Sequence, residues 1–285
     1  MKKFKRAGSV FLTAVMMGVL VFGCSSNKEE KRADAKGGAK TEAQDAEDKG
    51  AEEPVKLLVA AAASLEYSYE DELIPMFEEE NPNITVEGTY DSSGKLQTQI
   101  EEGIEADVFM SAAMKQMNAL VDEDLVDKDS VVELLENKIV LITSADSVLD
   151  LKEFTDITKA GSIAIGDPAS VPVGQYSQEA LTSLGIWDEV SAKASLGTNV
   201  TEVLNWVAEG SADAGIVYAT DAATTDKVKV VAEAPAESLA EPAIYPVGVV
   251  TASANKEAAQ KFVEFLQSEE AIKVFEEYGF IQYNE

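Results

Sequence analysis

Five stretches of this 285-residue chain combine small residues with side-chain hydroxyls in a pattern that can hold an anion. They are Ala60-Ala61-Ala62-Ala63-Ser64-Leu65, Tyr90-Asp91-Ser92-Ser93-Gly94-Lys95-Leu96, the run from Gly166 to Tyr176, Thr198-Asn199-Val200-Thr201-Glu202, and the run from Gly215 to Asp221. Each lies where a short apolar run ends or a helical pattern begins. The first turn of a helix leaves backbone N–H groups without intrahelical acceptors, and the aligned peptide dipoles favour negative charge there. Several such ends brought together would bind an anion through neutral donors, with no formal cation. A serine in isolation at such a place is more often a plain helix cap, and an isolated tyrosine more often a core residue. Their joint occurrence at five junctions is what points to a site.

Composition narrows the chemistry further. The chain has 52 Asp plus Glu against 23 Lys plus Arg, no His and one Cys. Without imidazole there is no Ser-His-Asp triad, no Cys-His pair and no His-ligated zinc. A lone Cys forms neither an intramolecular disulfide nor a CxxC site. A formal charge of −29 argues against nucleic-acid phosphates as partners. Ser92-Ser93-Gly94-Lys95 spells the SxxK nucleophile motif of penicillin-recognising enzymes, but the Lys-Ser/Thr-Gly strand those enzymes also need is missing. No enzyme is expected. Glu78-Glu79-Glu80 and Glu101-Glu102 read as solvated faces before metal ligands, Asp107 and Asp221 as cap or hinge partners, and Asp167 as a turn residue.

The elements that must position these junctions are legible as apolar runs alternating with helical spacing. Strands are expected at Val55 to Ala60, Ile84 to Tyr90, Asp107 to Ser111, Ile139 to Thr143, Ser162 to Ile165, Ala214 to Tyr218, Val228 to Val231 and Tyr245 to Thr251. Helices are expected around Leu65 to Phe77, where Pro75 would kink or divide the run, and at 96–100, 114–121, 175–184 and 200–208. Two more close the chain around Phe262 and Phe275. Such alternation predicts an α/β fold with mostly parallel sheets, whose ligands bind beyond the carboxyl ends of strands.

The first 54 residues are of another kind. Lys2, Lys3, Lys5 and Arg6 precede an uncharged apolar stretch from Gly8 to Gly23, the layout of a secretory signal. It is too short and too early for an ordinary membrane-spanning helix. The sole Cys ends it in Val21-Phe22-Gly23-Cys24, which resembles a bacterial lipobox, so residues 1–23 are expected to be removed and Cys24 acylated. Residues 25–54 contain no Val, Ile, Leu, Met, Phe, Trp or Tyr and are expected to act as a flexible tether, with an r.m.s. span of about 30 Å. The remaining head, 55–285, carries 13 Lys and 43 Asp plus Glu, a net of −30, and neither Arg nor His.

The head resembles, over nearly its whole length, the molybdate-binding proteins of bacterial ABC importers. The matching stretches are AAASL (61–65), SSGKLQTQIEEG (92–103), ADVFMSA (106–112), GDPASVPVGQYSQEAL (166–181) and GIVYATDA (215–222). The resemblance implies a two-lobed periplasmic-binding-protein-like fold of type II, with the anion clasped in a cleft between α/β lobes. It places lobe 1 at 55–137 plus 246–285 and lobe 2 at 138–245, with Ile139 to Thr143 and Tyr245 to Thr251 as the crossing strands. It implies a tetrahedral oxyanion held by the hydroxyls and amides of Ser64 and Ser93, by the backbone amides of Val173 and Val200, and by the phenol of Tyr218. Ser92 stands one register from Ser93 and stays open as the second serine. No cofactor is implied beyond the ligand, molybdate or tungstate. The implied partners are an ABC permease and, through Cys24, the outer face of the cell membrane; a monomer is expected. A sulfate-type receptor, a Ser-Lys hydrolase and a sensory head are the alternatives.

Overall fold

The computed structural model describes residues 53–284. The expected signal, Cys24 and most of the tether therefore lie outside the described residues. Eleven strands occur among those described: β1 (Val55–Ala62), β2 (Ile84–Asp91), β3 (Val108–Met110), β4 (Val132–Asn137), β5 (Ile139–Ser144), β6 (Ile163–Gly166), β7 (Ala194–Gly197), β8 (Ala214–Tyr218), β9 (Val228–Glu233), β10 (Ala243–Val249) and β11 (Ile281–Gln282). They form two sheets, in the orders β11-β4-β10-β3-β1-β2 and β7-β6-β8-β5-β9, with helices packed against them.

The sheets are mixed, which corrects the expectation of mostly parallel ones. Strands β1, β2 and β3 run parallel, as do β6, β7 and β8, because each is followed by a helix that returns the chain to the same end. Antiparallel pairing comes from β10 beside β3 and β4, β11 beside β4, and β5 between β8 and β9. The passages between the sheets are links: Lys138 alone joins β4 to β5, and residues 234–242 join β9 to β10. The two expected crossing strands each pair within one sheet, β5 with β8 and β9, and β10 with β3 and β4. Strand β10 also enters the first sheet at Ala243, ahead of residue 246.

Strand alternation fixes the two faces of the first sheet. Leu57, Val59 and Ala61 point into the main core, while Ala60 joins a second cluster with Leu96, Ile100, Phe109, Met117 and Leu120. The main core is anchored by edge-to-face aromatic pairs, Phe77 with Phe262 at 4.9 Å and Tyr69 with Phe262 at 6.0 Å between ring centres. Pro75 does not divide its helix. A wider π-type turn at Tyr69–Leu73 precedes it and absorbs the missing N–H, so the run stays helical through Glu80.

Three short strands had no expectation. Strand β7, Ala-Ser-Leu-Gly, is an edge strand with half of Leu196 exposed, and nothing in its composition favours a strand. Strands β4 and β11 carry acidic or exposed residues and are held by pairing with partners distant in sequence. Among the described residues, no helix is long and apolar enough to cross a membrane.

Candidate functional site

The strand ends converge on one small cavity. From the first sheet it takes Ala62 to Ser64 after β1, Asp91 to Ser93 after β2 and Ala112 after β3; from the second, Val171 to Val173, Val200 and Tyr218. All five residues expected at the site, Ser64, Ser93, Val173, Val200 and Tyr218, lie on this one wall. Ser92 does too.

Each is placed by the element it begins or ends. Ser64 sits in a single 3-10 turn, Ala63–Leu65, and its Oγ lies 2.9 Å from the Tyr245 Oη. Ser93 opens the Ser93–Glu101 helix, and its Oγ accepts the Ala112 N–H at 3.0 Å. Its own proton therefore remains to be donated. Ser92 is the cap residue of that helix, yet its buried Oγ makes no cap bond and has no partner. Val173 is the second residue of the Pro172–Ser183 helix, and Val200 the first of Val200–Ala208. Amides at those positions have no intrahelical acceptor; the first such donor in the former helix is Gln175, to the Val171 carbonyl. Tyr218 ends β8 and donates its hydroxyl to the Ala112 carbonyl at 3.1 Å. Burial drives the Tyr218 and Tyr245 phenols well above their ordinary range, so both stay protonated, with the Tyr218 proton given to the Ala112 carbonyl in this arrangement.

Close backbone approach makes this geometry possible. A Cβ on Gly174 would lie 2.2 Å from the Gly166 carbonyl oxygen, so only glycine lets the helix N-terminus press against the end of β6. Gly94 plays the same part between the two sides of the cavity. Its N–H donates to the Ser170 carbonyl at 3.0 Å, and a Cβ there would lie 2.3 Å from that oxygen. Asn199 Nδ2 to Asp91 Oδ1 at 3.4 Å and Gln116 Nε2 to Gln175 Oε1 at 3.2 Å also span the two sides.

Several site residues were not expected. Asp91 brings a carboxylate to the wall of a site read as anion-binding. It is offset by Lys95, whose Nζ lies 3.2 Å from both carboxylate oxygens, and by the Ser92 N–H at 2.8 Å. Tyr245 and Asn137 support Ser64 from behind; their signal was invisible because Tyr245 opens a strand read as a crossing between lobes and Asn137 ends β4, where no strand was expected. Of the Ser-Lys pair, Lys95 Nζ lies 3.2 Å from Asp91 and Ser92 Oγ has no hydrogen-bond partner.

The remaining acids are structural. Asp107 accepts from the Leu58 N–H and the Ser253 hydroxyl, at 2.8 and 2.6 Å, and Asp167 closes a turn on the Ala169 N–H. Asp221 is buried at the start of the short Ala219–Ala223 helix, and burial pushes its carboxyl up to about 7. Glu78 accepts the Val86 N–H, and Glu101 accepts from Gln97. Among the described residues, no three His, Cys, Asp or Glu side chains gather as for a cation.

Residues 57–281 match the family described as bacterial extracellular solute-binding protein, and the chain belongs to it. It is 40% identical over 273 residues to the putative ABC transporter substrate-binding lipoprotein YvgL of Bacillus subtilis, covering 95% of this chain and 97% of that one. It is 38% identical over 230 residues to the molybdate-binding protein ModA of Haemophilus influenzae, covering 79% and 89%. Among solved structures, the substrate binding domain of a putative molybdenum ABC transporter from Clostridium difficile superposes with a TM-score of 0.63 at 40% identity. That match covers 81% of this chain and 100% of the other.

Proposed function

We propose that this extracellular solute-binding protein captures a tetrahedral oxyanion, molybdate or tungstate, and delivers it to an ABC permease. The observation that carries the reading is the convergence of hydroxyls and helix-end amides from both sheets on one cavity, with no Arg or His anywhere in the head. A fully deprotonated oxyanion only accepts hydrogen bonds, so a wall of donors suits it. It disfavours ligands that must themselves donate, such as protonated phosphate, because a facing N–H would be left unpaired. Each charge-assisted hydrogen bond contributes about 1.5–3 kcal/mol net, and five or more support tight binding after ordering costs. The relatives named for molybdate favour that ion among acceptor-only dianions. Sulfate is the second reading, since it too is an acceptor-only dianion and its exclusion rests on cavity size.

The ligand acts as a clasp. Bound between helix ends of the two sheets, it stabilises the arrangement in which the sides touch through Gly94, Asp91 and Gln116, in proportion to its preference for that state. Calorimetric titration with molybdate, tungstate and sulfate at fixed ionic strength is expected to show tight binding of the first two and weaker binding of the third. Heat from none of the three sinks the reading.

Acylation of Cys24 would hold the head beside the membrane on its tether, two or more acyl chains binding a bilayer far better than one. The lipoprotein name of the Bacillus relative supports this. Cys24→Ser is expected to move the protein from the membrane fraction to the medium; retention in membranes would refute the anchor.

A further inference from the structure

Behind the cavity wall, where the chain passes from the first sheet to the second, four side chains are hydrogen-bonded in series. Asn137 ends β4, Tyr245 lies in β10, Ser64 follows β1, and Thr220 follows β8 in the other sheet. Asn137, Tyr245 and Thr220 are buried. The Lys138 N–H donates to Asn137 Oδ1 at 2.9 Å, which fixes the side-chain amide with its NH₂ group turned inward. The two protons of that group go to Thr220 Oγ1 at 2.8 Å and to Tyr245 Oη at 3.3 Å. Tyr245 Oη therefore accepts from Asn137 and keeps its own proton to give. The oxygen 2.9 Å away is Ser64 Oγ, on the cavity wall.

We infer that Asn137 and Tyr245 are positioning residues that set Ser64 as a proton donor toward the ligand. Between Tyr245 Oη and Ser64 Oγ either oxygen could donate, and we assign the proton to the phenol. An amide NH₂ only donates, so the phenol oxygen at the next step is an acceptor, and the phenol proton is free for Ser64. With its oxygen occupied by that proton, Ser64 directs its own hydroxyl hydrogen into the cavity. Ser93 reaches the same state by another route, its oxygen taken by the Ala112 N–H. Both serines thus face the ligand as donors, which matches a ligand that only accepts. Because Asn137 also bonds Thr220 across the passage, the orientation of Ser64 depends on the two sheets being in register. Tyr245 further packs edge-to-face on Tyr218, with ring centres 5.5 Å apart.

This inference rests on the oxyanion reading, and a double-mutant cycle with molybdate separates the two. Tyr245→Phe removes the proton given to Ser64 and is expected to weaken molybdate binding about 5–20-fold in the parent, but by less than about twofold in a Ser64→Ala background. Asn137→Ala, a second variant should the first fold poorly, is expected to behave likewise. Tyr245→Phe also frees the Ser64 oxygen to accept, so the preference for molybdate over hydrogen phosphate is expected to fall about tenfold, a change that a uniform loss of packing would not produce. Equal losses in both backgrounds, or no loss in the parent, overturn the relay while the oxyanion reading stands. Failure of the unmutated protein to bind molybdate, tungstate or sulfate overturns both.

Discussion

Gly94→Ala is expected to weaken molybdate binding about 5–150-fold, the equivalent of about 1–3 kcal/mol of overpacking, with no loss of thermal stability in the unliganded protein. The added methyl would stand 2.3 Å from the Ser170 carbonyl oxygen and under 3 Å from two further backbone atoms of that residue. Backbone cannot retreat as a flexible side chain can. The strain is relieved by parting the β2 junction from the loop after β6, which also breaks the Gly94–Ser170 hydrogen bond. The proposed ligand donors lie on both sides of that contact, so parting them costs affinity. Stability without ligand is spared because Gly94 lies inside the Ser93–Glu101 helix, where alanine is favoured over glycine by about 1 kcal/mol. Titration and a melting curve on the same sample check the two halves of the expectation. Parent-like affinity would show that the two sides need not touch for binding.

The second large effect distinguishes two adjacent serines. Ser93→Ala is expected to lower molybdate affinity by about 1–3 kcal/mol and to destabilise the fold by a similar amount. The first loss is the hydroxyl donated to the ligand. The second arises because the buried Ala112 N–H, which bonds Ser93 Oγ at 3.0 Å, is left without that acceptor. Ser92→Ala removes an oxygen with no partner, so its melting temperature is expected to stay within a few degrees of the parent. If affinity falls with Ser92→Ala and not with Ser93→Ala, the contacting serine is the other one, and the register of the β2 junction was misassigned. Measuring both variants by titration and thermal unfolding decides it.

Part of this is readable in the amino-acid sequence. The five junctions stood out because strand-to-helix transitions have local signals: an apolar run, then small and hydroxyl residues, then helical spacing. The Val200–Ala208 helix and strand β8 fall where the pattern put them. Strands without local signal did not. Ala194-Ser195-Leu196-Gly197 is a strand only because β6 offers it a parallel edge. The mixed polarity of the sheets was also hidden, since side-chain alternation is the same for parallel and antiparallel pairing.

The cavity shows the same division. The absence of Arg and His already determined that any anion site in the head must use neutral donors or lysine, and the junction motifs supplied the donors. What the sequence could not assign was the state of each donor, because that is set by partners far along the chain. Ser64 and Tyr245 are 181 residues apart, and Asn137 and Tyr245 are 108 apart. No local periodicity encodes such meetings; they exist only once β1, β4 and β10 are gathered into one sheet. Asp91 is the sharpest instance. As a residue type it argues against an anion beside it, and only the fold, by bringing Lys95 and the Ser92 N–H onto the carboxylate, makes its place on that wall tolerable. Sequence thus chose the kind of chemistry, since residue types are fixed by covalent structure. Tertiary structure chose which partners each hydroxyl of the cavity meets, since that depends on distances the chain acquires only on folding.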